Sequence, residues 1–125
     1  MAIEITTVET IRQFETTVPG PDGANRFITI VGSIRLPLGG INGTETYHCR
    51  VGPVLELHEV LGVSFLPSIA ALDLSMAALG ACSMSSHSAE WDADSGQVEI
   101  SVELSATGAV NSITLVFSLT ILAAA

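Results

Sequence analysis

The chain is 125 residues long and 48% apolar, and its thirteen acidic side chains face four arginines and no lysine, a formal charge of −9. That balance repels phosphate backbones and argues against nucleic acid as a partner; without lysine, a phosphate loop built on one is impossible. The length suits one domain burying roughly 65% of its extended surface, and the apolar content favours a subunit that covers part of its exterior with copies of itself or a larger partner.

At the N-terminus, Met1 to Ile5 has neither a basic region nor a continuous apolar run, so no secretory leader is expected. Ile3 and Ile5 alternate with polar neighbours and open a strand reaching Val18, with Phe14 as a core or seam anchor. Nearby threonines weaken the helical alternative over Val8–Phe14. Pro19-Gly20-Pro21-Asp22-Gly23 is a loop. Phe27–Leu36 reads as a strand: Ile28, Ile30, Ile34 and Leu36 share a face with Gly32, which marks a bulge or a close backbone approach. Phe27 and Val31 fall on the outer face, so a second layer or a subunit contact is expected there.

Pro37 to Gly43 breaks the sheet, and Asn42-Gly43-Thr44 is read as a turn in preference to a glycosylation acceptor. Thr44–Arg50 and Val54–His58 are short strands split by Gly52-Pro53, and an apolar run over Val60–Leu66 ends at Pro67. Ile69–Leu79 fits a short helix with Ser68 as its N-cap and Gly80 as its stop, although Leu72, Leu74 and Met76 also suit a strand. Ala81–His87, small and serine-rich, reads as a loop or an irregular edge.

The last third is the most regular. Trp91 precedes an Asp94-Ser95-Gly96 turn, after which Val98, Ile100, Val102 and Leu104 alternate with polar residues. A break containing Gly108 follows, and then Ile113, Leu115, Phe117, Leu119 and Ile121 form a second buried row. The two runs read as adjacent antiparallel strands. Val116 and Leu122 lie on the polar side of the last one, a second sign of a covered outer face. The run is interrupted by Thr114, Ser118 and Thr120 and is too short for a helical membrane span. The sum is a mainly β domain over residues 1–125: an antiparallel sandwich or closed barrel of six to eight strands with one short helix.

Chemistry is sparse. Asp92, Asp94 and downstream Glu99 or Glu103 suggest a calcium loop, but the glycine falls one position early for an EF-hand, and a hairpin turn is the favoured reading. His48, Cys49, His58, Cys82 and His87 lack the close pairs of a zinc site. The two cysteines are read either as a bridge or as buried free thiols. No Gly-x-Ser-x-Gly elbow is present, and neither catalysis nor a cofactor nor a metal is expected. Trp91, Asp92 and Asp94 are a candidate ligand platform, an aromatic ring beside acceptors that would suit a sugar. Phe27, Val31, Arg35, Val116 and Leu122 are the candidate interface, Arg35 for its place beside Pro37-Leu38-Gly39-Gly40.

Three stretches carry a resemblance: Ile30-Val31-Gly32-Ser33-Ile34-Arg35-Leu36-Pro37-Leu38-Gly39-Gly40, Ala89 to Ile100, and Ser112-Ile113-Thr114-Leu115-Val116-Phe117-Ser118-Leu119. This order of glycine-glycine loop, aromatic-acid hairpin and hydrophobic last strand resembles the small structural proteins of tailed-phage virions, including those that decorate or cement the head. The resemblance covers the chain in outline, and Thr44–Leu79 departs from it. It implies a passive virion protein that self-associates and binds a capsid or other virion protein, with no catalytic residues to carry over. A small β-fold glycan- or ligand-binding module is the alternative.

Overall fold

The computed structural model describes residues 2–5, 9–20, 23–38, 43–74, 80–108 and 110–124. Eight strands follow one another: β1 (Ala2–Glu4), β2 (Glu9–Gly20), β3 (Gly23–Pro37), β4 (Gly43–Val51), β5 (Val60–Leu74), β6 (Gly80–Trp91), β7 (Val98–Gly108) and β8 (Val110–Ala124). They form two four-stranded sheets packed face to face, a sandwich and not a closed barrel. Sheet I has the order β1-β4-β7-β6 and sheet II the order β2-β3-β8-β5. All pairings are antiparallel except that of β1 with β4. Among the described residues, the one helical segment is a 3-10 turn at Leu57–Glu59, and no helix is long and apolar enough to cross a membrane.

Strict alternation makes the core. From sheet II come Ile28, Ile30, Ile34 and Leu36 of β3 and Ile113, Leu115, Phe117, Leu119 and Ile121 of β8; from sheet I come Tyr47, Cys49 and Val51 of β4 and Val98, Ile100, Val102 and Leu104 of β7. These four central strands carry most of the buried apolar surface, the largest favourable term in folding. Tyr47 enters the core whole because its hydroxyl donates to the carbonyl of Pro37 at 2.8 Å; burial pushes its pKa up to about 12.

Several expectations need correction. The β7 and β8 runs are not neighbours in one sheet; they face each other across the core, because the chain changes sheets at Gly108, whose φ is 79°. Residues 69–74 belong to strand β5 and not to a helix, pairing with β8 (Ile69 opposite Leu115, Leu72 opposite Ile113) around an irregularity at Ala70; residues 75–79 lie outside the described set. Pro67 does not end that strand. β5 is an edge, so a residue lacking an N–H there costs no ladder bond. Val54–His58 is no strand: Glu59 reaches back to the N–H of Glu56 at 3.0 Å and fixes the 3-10 turn.

The serine-rich stretch before Trp91 is the irregular edge strand β6, with a register shift between Met84 and Ser86. The Pro19–Gly23 loop narrows, Gly20 pairing Gly23 with only 21–22 between them. Gly32 lies opposite Ile11, where a bulge in β2 shifts the register. Phe14 is 53% exposed and not in the core, because its register opposite Thr29 sets it on the outer face of sheet II. Asn42, of the Asn-Gly turn, is outside the described residues. Cys49 and Cys82 are free thiols.

Candidate functional site

The two outer faces of the sandwich differ in chemistry. Alternation sends Glu4 of β1, His48 and Arg50 of β4, Glu99 and Glu103 of β7 and Glu90 of β6 to the outside of sheet I. There Arg50 is shared by three carboxylates: Glu4 at 3.2 Å, Asp92 at 3.2 Å and Glu99 at 3.6 Å. His48 lies 3.6 Å from Glu99.

Sheet II is different. Reading across β2, β3, β8 and β5, successive outward rows are Thr16-Phe27-Leu122-Gly62, Phe14-Thr29-Thr120-Ser64 and Arg12-Val31-Ser118-Leu66. Ser33-Val116-Ser68 and Arg35-Thr114-Ala71 continue the pattern on β3, β8 and β5. The first four rows place no charge on β3, β8 or β5. On those three strands the polar members are serines and threonines, and several large apolar members of the rows are open to solvent: Leu66 69% exposed, Phe14 of β2 53%, Val31 43% and Val116 39%.

The candidate interface residues therefore share one surface. Phe27, Val31 and Val116 are exposed on it, Leu122 is half-buried in the Phe27 row, and Arg35 stands at its lower end. Val31, Gly32, Ser33 and Val116 line a shallow depression of about 210 Å³ with Arg12 on its rim. The Arg12 guanidinium sits 5.9 Å from the ring centroid of Phe14. Arg35 donates from Nε to the Ser112 hydroxyl at 3.2 Å and pairs with Asp73 at 3.5 Å, beside a cleft of about 270 Å³. Leu66 and Phe14 extend the patch beyond the residues that parity marked as outward. Leu66 was hidden in an apolar run whose neighbours mask its alternation.

The hairpin end carries Trp91, Asp92 and Asp94. The turn closes with Asp92 N–H donating to Gln97 O and Gly96 N–H to Asp92 O, each at 2.8 Å. Trp91 is half-buried, its indole N–H shared between Leu55 O at 2.9 Å and Gly96 O at 3.1 Å. The Ser95 hydroxyl donates to the Asp92 carboxylate at 2.7 Å and holds it below its usual range, helped by the Ser95 N–H and Arg50. Asp94 is exposed. These groups tie the turn together, and little of Trp91 or Asp92 is left to hold a ligand.

Of the remaining ligand types, His48 and Cys49 point to opposite faces of β4, and burial pushes the Cys49 thiol up to about 11. Burial also raises the Cys82 thiol. His87 meets the Phe65 ring edge-on at 5.8 Å. Among the described residues, Glu56, His58 and Glu59 bring ligand atoms within 4.8 Å of one another on the 3-10 turn. Their Glu-Leu-His-Glu spacing was visible in the sequence, but Glu59 is already engaged by Arg26 at 3.5 Å and by the Glu56 N–H. Comparison with protein-family models, curated proteins and solved structures returns no match to this chain.

Proposed function

We propose that this chain is a non-enzymatic structural protein of a tailed-phage virion, self-associating and decorating the capsid. The observation that carries the protein-contact part of this reading is the division of charge. One outer face is acidic, and the other is an apolar and hydroxyl surface of the kind that proteins cover. The virion part rests on the sequence resemblance, whose three stretches include residues 30–37 of β3, the β6–β7 hairpin and residues 112–119 of β8. A small sandwich with one face of few charges suits a passive part present in many copies.

The test is sedimentation of the protein at micromolar concentration with and without purified tailed-phage heads that lack their own decoration protein. Saturable co-sedimentation at a fixed copy number per head is expected. A chain that never sediments with heads and stays monomeric would sink the reading. The glycan-binding alternative draws less support, because the Trp91 N–H and the Asp92 carboxylate are spent within the hairpin.

A further inference from the structure

We infer that the occupant of the sheet II outer face is a second copy of this chain, bound face to face as an isologous pair. This rests on the proposed self-association and names its surface and partner.

Charge selects both. With thirteen acids against four arginines, two copies repel each other over most orientations. Sheet I carries Glu4, Glu90, Glu99 and Glu103 outward, so apposing that face would bring carboxylates together. Across sheet II, from the row of Phe27 to the row of Val116, β3, β8 and β5 offer only serine, threonine, glycine, valine, leucine and phenylalanine. A second copy meets no acid on those three strands, while on β2 the register sets Arg12 opposite Val31 and Glu9 opposite Ser33; small hydroxyls are cheaper to dehydrate than carboxylates.

Area agrees. With strands about 4.8 Å apart and same-face residues about 6.8 Å apart, the four charge-free rows on β3, β8 and β5 project to ~390 Å², and β2 with the Arg35 row brings the face to ~620 Å². A standard interface buries about 800 Å² of accessible surface per partner, and accessible area exceeds projected area on a pleated sheet. The anchors are Phe14, Val31, Leu66 and Val116. Paired in this way, the assembly presents its acidic sheet I faces outward on both sides.

The experiment is sedimentation equilibrium of the full chain from 1 to 200 μM without any capsid, on wild type, Val31→Glu, Val116→Glu and Ser88→Glu. Ser88 is exposed on the outside of sheet I and controls for the added charge. Wild type and Ser88→Glu are expected to dimerise, and the two valine variants to bind themselves about 30-fold or more weakly, with unchanged urea midpoints. Should a glutamate variant lose fold stability, Val116→Ser takes its place and must still weaken the dimer. A wild type that stays monomeric throughout, valine variants that still dimerise, or equal loss in Ser88→Glu would each overturn the inference. Failure to bind heads by an intact dimer counts against the virion reading and leaves this one standing; a strict monomer that binds heads does the reverse.

Discussion

Replacing Phe117 with alanine is expected to remove about 3–5 kcal/mol of stability, while Val116→Ser, one residue away, leaves the isolated fold within ~1 kcal/mol. Phe117 is 3% exposed, and its ring lies 6.0 Å from that of Phe65 at 59°, between β8 and β5. Truncation loses the transfer energy of the ring and leaves a cavity that the flanking Leu115 and Leu119, fixed in adjacent rows of β8, cannot collapse to fill. For a domain whose whole stability is of order 5–15 kcal/mol, that is about a fifth or more. Val116 points the other way and is 39% exposed, so its methyls contribute little to the monomer. Urea unfolding at sub-micromolar protein, below any association, reads both; a shift of roughly 2 M in midpoint is expected for Phe117→Ala. If Val116→Ser unfolds the monomer as severely, the outer face of sheet II is packed from within the chain and its assignment as an interface is wrong.

Gly96→Ala should cost about 1–2 kcal/mol: φ is +73°, and a Cβ would meet Val54 Cγ1 at 2.8 Å and Leu55 O at 3.3 Å. An unchanged melting temperature would mean that the turn adopts another conformation. Trp91→Phe deletes the donor that serves Leu55 O and Gly96 O and should cost about 1–3 kcal/mol in urea unfolding, unless water replaces it. Asp92 has its folded pKa lowered from 3.8, so the unfolded chain binds more protons in that range; its contribution is present above about pH 4 and lost as pH falls through the folded value. Urea midpoints measured from pH 6 to pH 2 should therefore decline less steeply for Ser95→Ala, which removes the main cause of the shift, and an identical slope would discard that cause.

Most of the fold was legible where one face is buried and the other wet. β3 and β8 alternate so regularly that parity alone named their core residues, and the same parity exposed Phe27, Val31, Val116 and Leu122 as outward. Parity does not say which sheet a strand joins, so β7 and β8 were placed side by side when they pack across the core. At the edges the pattern fades. β6 half-buries Cys82, Met84, Ala89 and Trp91 and buries none of its residues fully, β5 tolerates Pro67, and β2 leaves Phe14 uncovered. Edge strands have a neighbour on one side only, so their side chains alternate less strictly, and β5 also pairs with a strand far along the chain. The candidate site was half visible for the same reason: the outward valines could be read singly, but the rows joining them to Leu66 and Phe14 exist only once β2, β3, β8 and β5 are in register.

The order of strands in sheet II has a consequence for biosynthesis. β8, made after both β3 and β5, is not at an edge but between them, holding both. Until residues 110–124 have left the ribosome, β3 and β5 each keep a row of unpaired backbone groups and an uncovered apolar face, two features that promote aggregation. The β2–β3 and β6–β7 hairpins can form early from neighbouring sequence, while closure of the sandwich waits for that central strand and its distant partners. Yield should accordingly depend on what shields the nascent chain during that interval, and truncations within 110–124 should be recovered as insoluble protein, not as a shortened sandwich.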